Sequence, residues 1–80
     1  MFIENVDDRL IFNTDNFCVI RIEQEGKHFK VVGVSNNSNF SLFTFAIYTD
    51  EMEAVMTLER IFTAKKQHLS VVQIKNKVEE

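Results

Sequence analysis

Few side chains in this sequence are of a type that could do chemistry, and each can be weighed on its neighbours. Cys18 is the single cysteine, and a thiol becomes a nucleophile only beside a base in an electropositive setting. It lies in Phe17 to Gln24, an alternating run that puts Cys18, Ile20 and Ile22 on one apolar face, so a buried structural thiol accounts for it better. His28 falls in an expected turn and His68 at an expected helix end. Neither has a carboxylate at a fixed spacing, and no serine stands in a nucleophile-elbow context, so solvated-turn and capping roles fit them better than general-base work. Asp7, Asp8 and Asp15 could offer oxygen ligands, but a calcium loop needs a compact set at EF-hand spacing, which is missing. Turn chemistry explains them. The tract Lys27-His28-Phe29-Lys30 interleaves cations with a ring, as a base-stacking stretch would. One short tract in an acidic chain reads more simply as hairpin surface. No catalytic residue, metal-ligand set or cofactor is expected.

The elements that must position these residues are short. Phe2-Ile3 and Leu10-Ile11-Phe12 are apolar runs separated by Asn5 to Arg9, and Asn13-Thr14-Asp15-Asn16 is a polar turn that needs no glycine. Phe17 to Gln24 has the period of a half-buried strand. Glu25-Gly26-Lys27 reverses the chain into Phe29 to Val34, which makes a hairpin. Ser35 to Asn39 is a second polar turn, followed by Phe40 to Tyr48, in which Phe43, Phe45 and Ile47 share one face and Leu42, Thr44, Ala46 and Tyr48 the other. Asp50 or Thr49 caps a helix, with Glu53 placed to close a capping box. Along that helix Met52, Ala54, Val55, Met56, Leu58, Ile61 and Phe62 form one broad apolar arc, opposite Glu53, Thr57 and Arg60. Met52, Met56 and Phe62 are read as core. Leu69 to Ile74 is rich enough in β-branched residues to be a last strand, although the helix could also continue into it. The expected fold is α+β: a small antiparallel β-meander of three to five strands with one amphipathic helix packed on one face.

Composition bounds what such a chain can rely on. At 80 residues, 45% hydrophobic and 26% charged, it reads as one domain over residues 1–80, with 76–80 a loose tail. So small a domain is usually helped by disulfides, a metal or a second subunit. One thiol forbids an internal disulfide, and one thiol with two unpaired histidines does not make a zinc site. A net charge of −3 argues against general affinity for phosphate backbones or anionic lipid. The first residues, Met1 to Asn5, lack a basic stretch followed by an apolar one, and the expected location is the cytoplasm.

The order Leu10-Ile11-Phe12-Asn13-Thr14-Asp15-Asn16-Phe17, then Phe29-Lys30-Val31-Val32, then Tyr48-Thr49-Asp50-Glu51-Met52-Glu53-Ala54 opening a helix, resembles small uncharacterised proteins of Gram-positive bacteria and their phages. Phe12 and Phe17 stand where those proteins carry aliphatics and Met52 where they carry a glutamate, and the likeness ends near residue 66. It implies a phage-like accessory gene product that binds and blocks or redirects a host protein.

The functional expectation is therefore a non-enzymatic protein-binding factor of the anti-defence or host-takeover kind. Its partner-binding residues are read as Leu42, Tyr48, Val32 and Val34, with Val19, on a sheet face more apolar than solvent requires. Asp7, Asp8, Glu23 and Glu25 form the accompanying acidic surface, suited to a basic groove. A protein partner or self-association as a homodimer is expected, with no membrane. The alternative is a homodimeric regulator that contacts nucleic acid through Lys65, Lys66, Lys75 and Lys77.

Overall fold

Asn, Asp and Gly punctuate the chain into short runs, and the runs between them form the strands. The computed structural model describes residues 1–37 and 41–79. Part of the second expected turn, and Phe40 at the expected start of the strand after it, lie outside those residues. The elements are β1 (Phe2–Asn5), β2 (Leu10–Asn13), a 3-10 turn (Thr14–Asn16), β3 (Phe17–Glu25), β4 (His28–Ser35), β5 (Leu42–Tyr48), α1 (Glu51–Lys66) and β6 (Val71–Ile74). The fold is α+β. The strands form two three-stranded sheets, ordered β2-β1-β6 and β3-β4-β5, in place of one meander. β1 pairs antiparallel with β2 and parallel with β6, a pairing that unites the two ends of the sequence and that no local pattern announces.

Two bulges redirect the alternation. In β3 the register with β4 shifts between Phe17 and Val19, which leaves Cys18 as the extra residue. Cys18 is exposed, its Sγ 3.6 Å from the Val34 carbonyl, so the expectation of a buried thiol is corrected. In β5 the shift falls at Phe45, between the pairs Val31–Ala46 and Val32–Thr44. Phe45 and Ala46 are consequently both buried, and Tyr48 joins them on the covered face while Ile47 pairs with Lys30 on the other. The expected split of this strand into two fixed faces breaks at that point.

The core draws on both sheets and the helix: Ile3, Val31, Phe45, Ala46, Tyr48, Ala54, Ile61, Ala64, Val72 and Ile74. Phe45 meets Phe12 and Phe17 at ring-centroid distances of 4.7 and 5.0 Å. These rings occupy the space over Gly33, where a Cβ would fall 2.7 Å from Phe17 Cδ1 and closer still to Phe45.

Asp50 caps α1 by accepting from the Met52 N–H at 3.0 Å, while the Glu53 carboxylate turns toward Lys77 Nζ at 3.4 Å. The buried helix positions are Ala54, Thr57, Ile61 and Ala64. Met52, Met56 and Phe62 are more than half exposed, which corrects their assignment to the core. Thr57, expected on the polar side, is buried because its Oγ1 donates to Tyr48 Oη at 2.6 Å. The helix ends with His68 at φ +58, its N–H on Lys65 O and the Leu69 N–H on Ala64 O, a Schellman arrangement completed without glycine.

The sheets are joined around Asn5, which is fully buried. Its Nδ2 donates to Phe45 O (2.7 Å) and Asn76 Oδ1 (3.0 Å), and its Oδ1 accepts from the N–H groups of Asp7 and Asp8. Asn76 Oδ1 also accepts from the Ile47 N–H, and Lys77 continues in a parallel bridge to Tyr48. Residues 76–79 are thus tied down, with the Glu79 N–H on Thr49 Oγ1 at 3.1 Å, where the sequence suggests a loose tail.

Candidate functional site

The face of β3-β4-β5 turned away from α1 gathers most of the residues expected to bind a partner. The two-residue reversal at Gly26 (φ +60) and Lys27 fixes the pairing of β3 with β4, so that Val19, Arg21, Glu23 and Glu25 stand opposite Val34, Val32, Lys30 and His28. On the other side of β4, Val34 faces Leu42, Val32 faces Thr44 and Lys30 faces Ile47. Residues directly opposite share a face. One surface therefore carries a cross-strand apolar row, Val19-Val34-Leu42, and beyond it a charged end.

Val19 is 45% exposed and Leu42 50%, with Val34 half-buried between them. Val32 is on the same face but buried, so it supports the row without offering surface. At the charged end Lys30 Nζ lies 2.6 Å from Glu25 Oε2 and Arg21 Nη2 lies 3.8 Å from Glu23 Oε2. The hydrogen bond and charge of Lys30 hold the Glu25 carboxyl below its ordinary range, which keeps it ionised. Apolar surface beside alternating charges suits a protein surface of matching pattern.

Of the residues singled out from sequence, Leu42, Val32, Val34, Glu23 and Glu25 are brought onto this face, together with Val19. Tyr48 is not: the bulge at Phe45 turns it to the covered side, where it is 3% exposed, and burial pushes its hydroxyl above its ordinary pKa. Asp7 and Asp8 are not on it either. Their carboxylates accept from the Asn76 N–H (2.9 Å) and Nδ2 (3.1 Å), in the junction between the sheets. Arg21, Lys30, Thr44 and Ile47 belong to the face and escape a reading by residue type. The signal for Arg21 and Lys30 was the turn at Gly26, which sets their register.

The lysines of the nucleic-acid alternative are split. Lys65 and Lys66 end α1, whereas Lys77 meets Glu53 in the first turn of that helix. A second exposed strip, Phe2, Val71 and Ile11 on β2-β1-β6, is interrupted by Gln73 donating to Glu4 at 2.8 Å. Among the described residues no helix is long and apolar enough to cross a membrane. No protein family, no curated protein and no solved structure matches this chain.

Proposed function

We propose that this protein is a non-enzymatic accessory factor, phage or mobile-element encoded, that binds a host protein in the bacterial cytoplasm and inhibits or redirects it. A defence system or a nucleic-acid-handling enzyme is the kind of target that suits it. The observation that carries the reading is the exposed row Val19-Val34-Leu42 set against Arg21, Glu23, Lys30 and Glu25 on one sheet face. An apolar centre with a charged flank is the composition of an interface, where the apolar part supplies affinity and the charges supply orientation. The resemblance to small proteins of Gram-positive bacteria and their phages supports the choice of a host protein as target.

The test is comparative capture from a Gram-positive lysate with the full chain and with Leu42→Arg, both shown by circular dichroism to be folded. A protein retained by the wild type and lost from L42R is the expected result. Equal retention by both, or no specific partner at all, sinks the proposal.

A further inference from the structure

β4 covers one edge of β3, and among the described residues no strand pairs with the other. The hairpin dictates which backbone groups face that open side. In a two-residue hairpin the closing pair, here Glu25 and His28, exchanges both backbone hydrogen bonds, and the pairs beyond it alternate. Glu23, Arg21 and Val19 thus turn their N–H and C=O groups toward β4, while Gln24, Ile22 and Ile20 turn theirs outward. A row of unpaired backbone groups is a template for another strand. The pairing runs unbroken from Val19 to Glu25, the bulge at Cys18 lies outside that span, and no proline interrupts it.

We infer that a second copy of this chain occupies this edge, β3 pairing antiparallel with β3 about a two-fold axis at Ile22. The register follows from charge and from span. Ile22 is the midpoint of Val19 to Glu25, and an axis there sets Ile22 against its own copy, Ile20 against Gln24 of the second copy, and Arg21 against Glu23 of the second copy. Outward-facing residues meet outward-facing residues, as narrow pairs require. Shifting the axis to Arg21 or to Glu23 places that residue opposite its own copy, and like charges directly opposed are destabilising. The side chains concerned are available, at 47% exposure for Arg21 and 38% for Glu23. On the helix side of the same edge, Ile20, Leu58 and Phe62 border a groove of about 380 Å³, with Phe62 67% exposed. Pairing brings Gln24 of the second copy against Ile20 and places that groove at the seam. The inference goes beyond the partner-binding face, which stays open on both copies and becomes continuous across the axis.

Sedimentation equilibrium of the full chain over a wide concentration range is expected to show monomer and dimer in exchange. Amide exchange is expected to protect the Ile20, Ile22 and Gln24 N–H groups as concentration rises. Arg21→Glu opposes carboxylates and Glu23→Arg opposes guanidinium groups, in two symmetric pairs at once, so each single variant should weaken the dimer roughly tenfold or more. An equal mixture of the two variants should recover wild-type affinity as a heterodimer, which also demonstrates that both are folded. A wild type that remains monomeric at every concentration overturns the inference, as does a dimer indifferent to both reversals. A dimer weakened by R21E but not by E23R overturns the register, and protection of those amides only by a different protein overturns the second copy as occupant.

Discussion

Gly33 and Tyr48 show how much a single position decides here. At Gly33 the missing side chain is what lets the Phe45 and Phe17 rings close over β4. Gly33→Ala has no room that backbone motion would not have to create, and overpacking of this kind costs about 1–3 kcal/mol. Urea unfolding is expected to show that loss as a lower midpoint with an unchanged slope. Tyr48 is protonated in the fold because burial disfavours its phenolate, with the Thr57 hydroxyl bond opposing that only in part. A group whose folded pKa is raised contributes stability below its unfolded pKa, near 10, and loses it as pH rises toward the folded value. Stability is therefore expected to fall above about pH 10, and Tyr48→Phe to flatten that fall relative to the wild type. Paired pH titrations of the urea midpoint, wild type against Tyr48→Phe, measure the share that belongs to Tyr48.

At the scale of the element, the segments with local chemical punctuation were legible. Gly26 between two alternating runs gives the β3–β4 hairpin, Asp50 opens α1 and the β-branched run at Val71 gives β6. What was illegible depends on partners distant in sequence. The bulges at Cys18 and Phe45 are set by how β4 lies against its two neighbours, and each reverses a face assignment built on strict alternation. On α1, Met52, Met56 and Phe62 belong to an apolar arc too broad for the sheet to cover, and they fall on its exposed margin. The helix settles on Ala54, Ile61 and Ala64 because small residues allow close approach to the sheet and Thr57 can satisfy Tyr48. The proposed partner face was half legible for the same reason: Val34, Glu23 and Glu25 follow from alternation along the hairpin strands and Leu42 from alternation ahead of the bulge, whereas Tyr48 lies beyond it. The C-terminal end of α1 carries its own prediction. His68 holds a left-handed conformation that glycine adopts without penalty. His68→Gly is expected to stabilise the protein by about 1 kcal/mol, readable as a higher urea midpoint.

Among the described residues, two sheets are held together by a polar junction and a shared apolar core. Asn76 accepts from Asn5 and from the Ile47 N–H and donates to Asp8, while Asp7 receives its backbone N–H. Asn76→Ala removes the side-chain half of this junction and leaves the buried Asn5 amide short of a partner, at a loss of about 2–4 kcal/mol. Amide exchange is expected to show β1 and β6 opening together in N76A before the β3-β4-β5 sheet does.

The parallel pairing of β1 with β6 also sets an order of events during synthesis. Phe2 to Asn5 leave the ribosome well before Val71–Ile74, the strand that completes their sheet. Until that segment emerges, Ile3 and Phe12 have only a two-stranded ribbon to belong to, too little for independent stability. The β3–β4 hairpin, β5 and α1 need only nearby sequence and can assemble meanwhile. β1 is made before β6 yet must wait for it, so a ribosome stalled before Val71 would hold a half-folded chain with β1 exposed to chaperones.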